Sequence, residues 1–430
     1  MSDVLSAPSW THSQRILFRF FFLYFLLFII IQNNGAFPYW GVLMKYPTEG
    51  LHILLPWIGK HILQLPKDIT VFTNGSGDTT YDYVIVFFAA SIALIGCVVW
   101  TIVDRSRTSY NTLYYWLMVI VRFYVGLMLI HYGLVKVFKL QFPGPGAYRL
   151  TQFYGDSSPM GLAWTFLGFS KGYNLFMGLA EVAAVLLLFR RTMTLGAILT
   201  LMTTANVMAV NYFYDVPVKI LSTHLVVMTI FILLYDAKNL WQFFVGRKSV
   251  KLGIQELPLF QKKVPKIGRI VFKVLLIGNS LIIGGWQTYK MYQQYGDDAP
   301  PSKLSGIFQV ERFLLNNDTL PPLVTDTVRW RQLFIEYDIV ARVRMMNDSV
   351  NRFRFSIDSA ATEMHFVHRN NDSIRFDFKY AWPSAELLEL KGRHRNDSIY
   401  MLLKLNRDLK GNFRLTKRGF HWVNEFPYNR

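Results

Sequence analysis

Several ionisable and amide side chains stand inside long apolar runs of this sequence. A charge at the centre of a membrane-spanning helix costs about 2.5–3.5 kcal/mol on insertion scales, so such residues commonly mark a functional site. Ligand binding or proton transfer is the chemistry that these side chains could support. The candidate residues are Arg122, His131, Lys136, Glu181, Asn206, Asn211 and His224 within the runs, and Asp215 and Lys219 in a short turn between two of them.

Arg122 and Glu181 are predicted to lie at similar depth in neighbouring helices. At about 1.5 Å per residue, Arg122 lies roughly 13 Å, and Glu181 roughly 12 Å, from the nearer end of its run. In an apolar core about 30 Å thick, both fall near the midplane. An ion pair between them would relieve the cost of both charges, and it could carry protons or simply clamp two helices together.

His131, Asn206 and His224 are predicted in the outer half of the membrane, where they could line one polar pocket. Arg122 and His131 lie nine residues apart, on opposite faces of their helix. The two histidines could bind a metal or haem, but no spacing such as His-x-x-x-His supports this, so we predict no metal site. Hydrogen bonds between helices are the plainer interpretation.

The other candidates also have structural alternatives. Lys136, close to the outer surface, could simply extend its ammonium to the interface. Asn206 and Asn211 could hold helices together. Asp215 and Lys219 could form a salt bridge or part of a binding rim.

Composition and run length place most of this chain in a membrane. Hydrophobic residues make up 52% of it and charged residues 17%, whereas soluble proteins average about 25% charged. A spanning helix needs roughly 17–25 mostly apolar residues. We expect about seven spans, near 15–32, 83–103, 113–138, 173–189, 194–212, 218–235 and 267–286.

Basic connecting segments predict how these spans are oriented. Arg105/Arg107, Arg190/Arg191 and the lysine-rich segment 236–270 would lie in the cytoplasm together with the N-terminus. The net charge of +18 is spread over such loops, whereas nucleic-acid binding would need one basic patch. We therefore expect a membrane protein that contacts the lipid bilayer and no nucleic acid, with its C-terminal domain on the outer face of the membrane.

Two long segments are predicted outside the membrane, at 33–82 and 139–172. Within the first, 51–65 is apolar but is interrupted by Pro56 and is too short to span. These features favour a helix that lies in the interface or re-enters the membrane.

After about residue 300, apolar and polar residues alternate, as in Phe353, Phe355 and Ile357. A period of two indicates half-buried strands. Asn-Asp-Ser recurs at 347–349, 371–373 and 396–398, where it suits hairpin turns. We predict an antiparallel meander that forms a β-sandwich or a barrel-like domain.

Asp followed by Ser or Thr and an apolar residue also recurs in this domain. Some bacteria attach glycans to such sites, but turn residues are the plainer interpretation. The positions are Asp318, Asp326, Asp348, Asp358, Asp372 and Asp397.

The predicted organisation has three regions. They are N-terminal transmembrane helices and an external loop at 1–112, a helical bundle with the last span at 113–290, and an extracytoplasmic β-rich domain at 300–430.

Several segments of the bundle resemble the DoxX family of bacterial membrane proteins, over about residues 113–235. The matching residues are Gly178-Leu179-Ala180-Glu181, Leu186–Arg191 and Thr194-Leu195-Gly196-Ala197, with Arg122, Gly126, Gly133 and Lys136. Other segments, including Asn74–Thr80, Tyr154–Gly161, Asp215–His224 and Gly419–Glu425, resemble a longer subgroup from Bacteroidetes-type bacteria. The resemblance implies a four-helix core and a link to quinone-coupled redox chemistry. It also implies a bacterial inner-membrane protein whose C-terminal domain is periplasmic. A more remote similarity, in architecture alone, is to the membrane domain of vitamin K-dependent carboxylases.

These observations support two hypotheses about function. In the first, the bundle binds an isoprenoid quinone or another apolar ligand within a redox-linked complex. In the second, the chain is a non-enzymatic membrane subunit whose 300–430 domain docks a periplasmic or membrane partner protein. The single cysteine, Cys97, excludes dithiol chemistry within this chain. Whether the protein is an enzyme stays open, and a solute transporter ranks last because no broken-helix inverted repeat is visible.

Overall fold

The computed structural model describes residues 10–71, 77–255, 263–300, 304–337, 339–408 and 411–429 of the chain. Short 3-10 turns lie at Tyr154–Asp156 and Ala183–Leu188, and a π-helical turn lies at Asn279–Ile283. The helices are α1 His12–Ile31, α2 Trp40–Leu43, α3 Lys45–His61, α4 Thr80–Val103, α5 Asn111–Val137, α6 Ala147–Thr151, α7 Pro159–Phe169, α8 Lys171–Val182, α9 Met193–Phe213, α10 Lys219–Leu233, α11 Ala237–Phe244, α12 Lys263–Gly278, α13 Gly284–Tyr295 and α14 Arg414–Lys417.

Six helical segments of the described chain are long and apolar enough to cross a membrane, so this is a multi-pass membrane protein. They are His12–Ile31, Thr80–Val103, Asn111–Val137, Lys171–Leu188, Met193–Phe213 and Ile267–Tyr295, and each overlaps a predicted span. The remaining predicted span, 218–235, corresponds to α10. That helix is short and reaches the required length only together with α11, from which it is bent by 80°.

Helix α3 differs from its prediction, because Pro56 does not interrupt it. The helix runs from Lys45 to His61 with Pro56 inside. Leu55 and Ile58 are buried, whereas Ile53 is 76% exposed, so one side of the helix packs against the protein. This packing offsets the hydrogen bond that proline cannot make.

The chain forms two compact units. The first comprises residues 1–143 and 158–298, and the second comprises 144–157 and 299–430. The predicted boundary at 112 does not separate compact units. The predicted external loop at 139–172 is divided, because its central part belongs with the β-rich domain.

The second unit is a closed antiparallel β-barrel. Its strands are β1 Gly306–Leu315, β2 Asp318–Thr319, β3 Trp330–Tyr337, β4 Val340–Met345, β5 Val350–Asp358, β6 Glu363–His368, β7 Arg375–Ser384, β8 Leu387–His394 and β9 Asp397–Asn406. They follow the order β2-β1-β3-β4-β5-β6-β7-β8-β9, and β9 pairs back with β1. The predicted alternation is confirmed, since Phe353 and Phe355 point into a core that apolar residues fill. Of the two predicted architectures, the barrel is the one formed.

The Asn-Asp-Ser triplets lie at one end of the barrel, at the β4–β5, β6–β7 and β8–β9 connections. Asp348 has a φ of 63°, as the turn prediction requires. In the third connection Arg395 takes the left-handed conformation, with φ 56°, and Asp397 already belongs to β9. Asp326 and Asp358 also act as turn residues, because their carboxylates accept backbone N–H groups. Glycosylation of these sites stays a prediction.

Segment 144–157 packs on the outer wall of the barrel. Ala147 and Tyr148 lie in one buried cluster with Ile307 of β1 and Phe334 of β3. The Tyr148 N–H donates to Glu336 Oε1 at 3.1 Å, and Arg344 donates to the Thr151 carbonyl at 3.1 Å. The barrel wall is therefore completed by residues that precede it by more than a hundred positions.

Candidate functional site

Helices α5 and α8 cross at a glycine pair. A Cβ on Gly133 would lie 2.8 Å from the Gly178 carbonyl oxygen, and one on Gly178 would lie 2.6 Å from the Val137 nitrogen. Only glycine permits this approach, which is how small residues bring membrane helices together. Gly196 of α9 lies equally close to the Leu187 nitrogen, at 2.8 Å for an added Cβ. Glycines that carried the family resemblance thus lie at two close helix contacts, one between α5 and α8 and one between α9 and the 3-10 turn.

Lys136 and Glu181 form a buried ion pair one turn from that crossing. Lys136 Nζ lies 2.7 Å from each carboxylate oxygen of Glu181, and the two side chains are only 6% and 3% exposed. The alternative that Lys136 simply extends to the interface is therefore wrong. The pair satisfies both charges inside the helical unit, as intramembrane charges require.

Arg122 does not meet Glu181, so the expected Arg122–Glu181 pair is wrong. Its Nε donates to the Leu187 carbonyl at 2.7 Å, and its Nη1 donates to Gln255 Oε1 at 3.2 Å. Lys273 donates to the neighbouring Leu188 carbonyl. These carbonyls end the 3-10 turn that follows α8, and a helix end of this kind attracts cations. Arg122 therefore caps a helix rather than neutralising a carboxylate.

His224 ties α10 to α1. Its Nδ1 lies 2.7 Å from the Ile220 carbonyl, which can only accept, so Nδ1 carries the hydrogen. In the neutral ring Nε2 then accepts from the Tyr24 hydroxyl, at 2.7 Å. The ring stacks on Phe28 with centroids 3.7 Å apart. Both ring nitrogens are therefore used in helix packing.

The expected outer pocket of His131, Asn206 and His224 is not formed. His131 and Asn206 are exposed on the surface of the helical unit, whereas His224 is buried against α1. Asn211 is also buried, and its amide donates to the Val218 carbonyl at 3.2 Å. Within the described residues, no group of three or more His, Cys, Asp or Glu is placed to hold a metal ion.

Asp215 and Lys219 form a salt bridge, one of the two alternatives for this pair, with 2.9 Å between Nζ and Oδ1. Asp78, which was not a candidate, caps the same helix. Its carboxylate accepts the backbone N–H groups of Lys219 and Ile220 at 2.6 and 2.9 Å. An acidic loop residue before a helical run is the only sequence signal for this contact, and it does not reveal which helix is capped.

An apolar groove lies between α1, α5 and the end of α10 in the helical unit, and none of the candidate residues lines it. Its volume is about 920 Å³. Aromatic side chains form its walls: Phe18, Phe21 and Phe25 from α1, Tyr114 from α5 and Phe231 from α10. Polar groups lie at one end, at Thr11, Gln14 and Asn111. We call this cavity the aromatic groove. A run of apolar residues predicts no groove, because every such residue could equally face lipid.

Together these features define a multi-pass membrane protein in which buried charges hold helices together and aromatic side chains line the groove between them. No protein-family model matches the chain, and no solved structure matches it. It is 40% identical over 114 residues to the uncharacterized protein YwoB of Bacillus subtilis, and this match covers 26% of the chain and 72% of the relative. The chain belongs to the family of that protein.

Proposed function

We propose that the protein binds a polar-headed lipid of the isoprenoid quinone type in the aromatic groove, as a DoxX-like subunit of a redox-linked complex. The groove is the observation that carries this proposal. From Thr11 to Phe25 it follows α1 for roughly 21 Å, at about 1.5 Å per residue. That is about two-thirds of an apolar core roughly 30 Å thick. A long apolar tail can therefore lie in it without leaving the membrane.

The polar end of the groove suits a headgroup. Trp10 donates its indole N–H to Asn111 Oδ1 at 2.9 Å, and Thr11 and Gln14 form a reciprocal cap at the start of α1. Tryptophan side chains are enriched at the membrane–water interface. A ring with carbonyl oxygens would meet hydrogen-bond donors here and aromatic faces further in.

In this proposal the buried charges have a structural role. Lys136 and Glu181 neutralise each other, and Arg122 donates a hydrogen bond to the Leu187 carbonyl at a helix end. None of these three charged residues lines the aromatic groove. We therefore assign the protein a binding role, and electron transfer to another member of the complex.

We further propose that the polar end of the groove faces the cytoplasm of a bacterial cell and that the barrel is periplasmic. The supporting observation is that basic connecting segments contact one another at two places. Arg15 at the start of α1 donates to the Arg107 carbonyl at 2.8 Å, and Arg190 donates to the Gln255 carbonyl at 2.9 Å. Basic loops of this kind favour the cytoplasmic side.

Lipid analysis of the purified protein tests the proposal. The full chain is extracted in mild detergent, and bound lipids are identified by mass spectrometry. Ile230→Trp places an indole in the aromatic groove and should reduce co-purified quinone about tenfold, a difference of about 1.4 kcal/mol. Ile95→Trp is the matched control, because Ile95 is 64% exposed on α4 and does not line the groove. Absence of quinone from the unsubstituted protein, or equal amounts in the two variants, would contradict the proposal.

A second candidate function is partner docking by the barrel unit, and its C-terminal segment favours it. Phe420, Trp422 and Phe426 are 78%, 91% and 84% exposed. Phe420 and Trp422 meet edge-on with ring centroids 5.0 Å apart, and Arg418 packs over the Tyr428 ring at 4.2 Å, so the segment folds back on itself. Exposed apolar patches of this kind commonly mark protein interfaces. The proposed occupant is a protein with an apolar cleft.

Affinity capture from membranes tests this second function. The double substitution Phe420→Ser with Trp422→Ser should remove the captured partner. Leu323→Ser with Val324→Ser is the matched control, since these residues are 56% and 71% exposed in the same unit. The same partners in both variants would exclude the C-terminal segment as the docking surface.

A further inference from the structure

The two ends of the barrel have different interiors. At the end where β1 begins, apolar side chains fill the space, and Trp382 packs over Phe308 with ring centroids 6.3 Å apart. At the opposite end, where the Asn-Asp-Ser turns lie, there is a cavity of about 250 Å³. We call this cavity the mouth pocket. It is independent of the aromatic groove and lies entirely within the barrel unit.

The mouth pocket is rimmed by polar residues at inward-facing positions. Inward positions recur every second residue of a strand. On β6, the inward-facing residues are Met364, Phe366 and His368. The last of these lies at the mouth of the barrel, so the inward-facing side chains change there from apolar to polar. Equivalent final inward positions on other strands hold Asn351, His394 and Asp397. A polar layer built from separate strands is what a ligand site in a barrel mouth requires.

Aromatic rings form the walls below this layer. Trp330 and Phe353 are 3% and 4% exposed, and the Trp330 ring meets Phe376 edge-on with centroids 5.3 Å apart. An apolar cavity of roughly 150 Å³ already holds benzene, whereas sites for drug-sized ligands begin at roughly 300 Å³. A volume of about 250 Å³ therefore fits one substituted ring.

The two histidines offer different hydrogen-bonding groups. Nδ1 of His394 lies 2.8 Å from the Arg375 carbonyl, so Nδ1 carries the hydrogen and the neutral ring leaves Nε2 as an acceptor. Nδ1 of His368 accepts the Asn370 N–H at 3.3 Å, so its Nε2 carries the hydrogen and can donate. The His394 ring is also held in place by stacking on Phe376, at 4.4 Å between centroids.

We propose that the mouth pocket binds a small planar ring that carries a hydrogen-bond donor and an acceptor on its edge. Trp330, Phe353 and Phe376 surround the ring, His394 accepts from it and His368 donates to it. A small organic cation is the other ligand that aromatic walls attract. The carboxylate that would balance such a cation, on Asp397, already accepts the Asn316 amide at 2.7 Å, which favours the neutral ring.

Calorimetric titration of the full chain in detergent tests this site. The probes are 4-hydroxybenzamide, which has the proposed ring, donor and acceptor, cyclohexanol as a saturated ring, and tetramethylammonium as a cation. We expect binding of 4-hydroxybenzamide alone. His394→Ala should weaken it about tenfold, the equivalent of about 1.4 kcal/mol. Thr327→Trp should abolish it, because Thr327 is an exposed loop residue at the pocket and the indole would occupy the mouth.

His365→Ala is the matched control. His365 lies on β6 but faces outward, where it binds Asp377 at 2.6 Å, so this variant should bind the probe as the unsubstituted protein does. Thermal melts show whether each variant is folded, and Thr327→Trp remains informative even if His394→Ala unfolds. The proposal is overturned if 4-hydroxybenzamide does not bind, if it binds Thr327→Trp equally well, or if tetramethylammonium binds more tightly.

Discussion

Removing the Glu181 charge should destabilise the helical unit strongly. Glu181→Gln preserves the size of the side chain but leaves the Lys136 ammonium, 6% exposed, without its counter-ion. Loss of one partner from a buried ion pair costs about 3–5 kcal/mol. At about 1.4 kcal/mol per tenfold, the unfolding equilibrium constant should rise by a factor of roughly one hundred to a few thousand.

The assay is reversible unfolding of the full chain by SDS in mixed micelles, followed by circular dichroism. The double variant Lys136→Met with Glu181→Leu removes both charges and should recover more than about 2 kcal/mol, because replacing a whole buried pair by apolar residues is often neutral. Lys171→Met is the control. It breaks the Lys171–Asp298 pair, whose side chains are 58% and 56% exposed, and should cost less than about 1 kcal/mol.

The reasoning is refuted if Glu181→Gln costs no more than the exposed pair does. It is also refuted if the double variant is as unstable as Glu181→Gln alone, since the defect would then lie in packing and not in an uncompensated charge. Quinone content should be unchanged in the double variant, because neither residue lines the aromatic groove.

Three other substitutions test separate parts of the structure. Gly178→Ala should cost about 1–3 kcal/mol in the same SDS assay, because its Cβ would lie 2.7 Å from the Gly133 carbonyl oxygen; Gly278→Ala, which meets nothing within 4 Å, should change little. Arg344→Ala should raise hydrogen exchange in Ala147–Thr151 about tenfold, because it removes the bond to the Thr151 carbonyl; unchanged exchange there would contradict the role of Arg344. Burial raises the pKa of Asp377, but hydrogen bonds from His365 and Arg375 outweigh this and hold the pKa below its ordinary value. The barrel should therefore lose stability as the pH falls through that lowered pKa, and Asp377→Asn should remove this part of its acid sensitivity in thermal melts.

Local patterns predicted the helices and strands well, because each pattern lies within the residues that form the element. Runs of apolar residues gave the spans, and alternation at Phe353 and Phe355 gave strands. Barrel closure had no such signal, because the pairing of β1 with β9 joins Ile307 to Asn406 across about a hundred residues. A sandwich would have shown the same alternation.

The partners of the buried charges were harder to predict than their burial. Depth along a helix placed Arg122 and Glu181 together, but depth does not specify which face of a helix meets which neighbour. The Leu187 carbonyl bound by Arg122 lies about 9 Å beyond Glu181, at about 1.5 Å per residue. Lys136 faces Glu181 because the Gly133–Gly178 crossing brings that face of α5 against α8. Backbone carbonyls leave no trace in a sequence, so they could not be predicted as partners.

The wall segment around Ala147 and Tyr148 has a consequence for synthesis of the chain. It is made long before Phe334, the strand residue that covers it, and at roughly 5–20 residues per second the delay is about 10–40 s. During that interval its apolar side chains lack their docking surface, and the barrel cannot close until β9 has been made. In a protein that ends before residue 299, Ala147 and Tyr148 would have no strands to pack against. In a barrel that begins at residue 299, Ile307 and Phe334 would be exposed to water. The β-rich unit is therefore complete only when both of its stretches, 144–157 and 299–430, have been made.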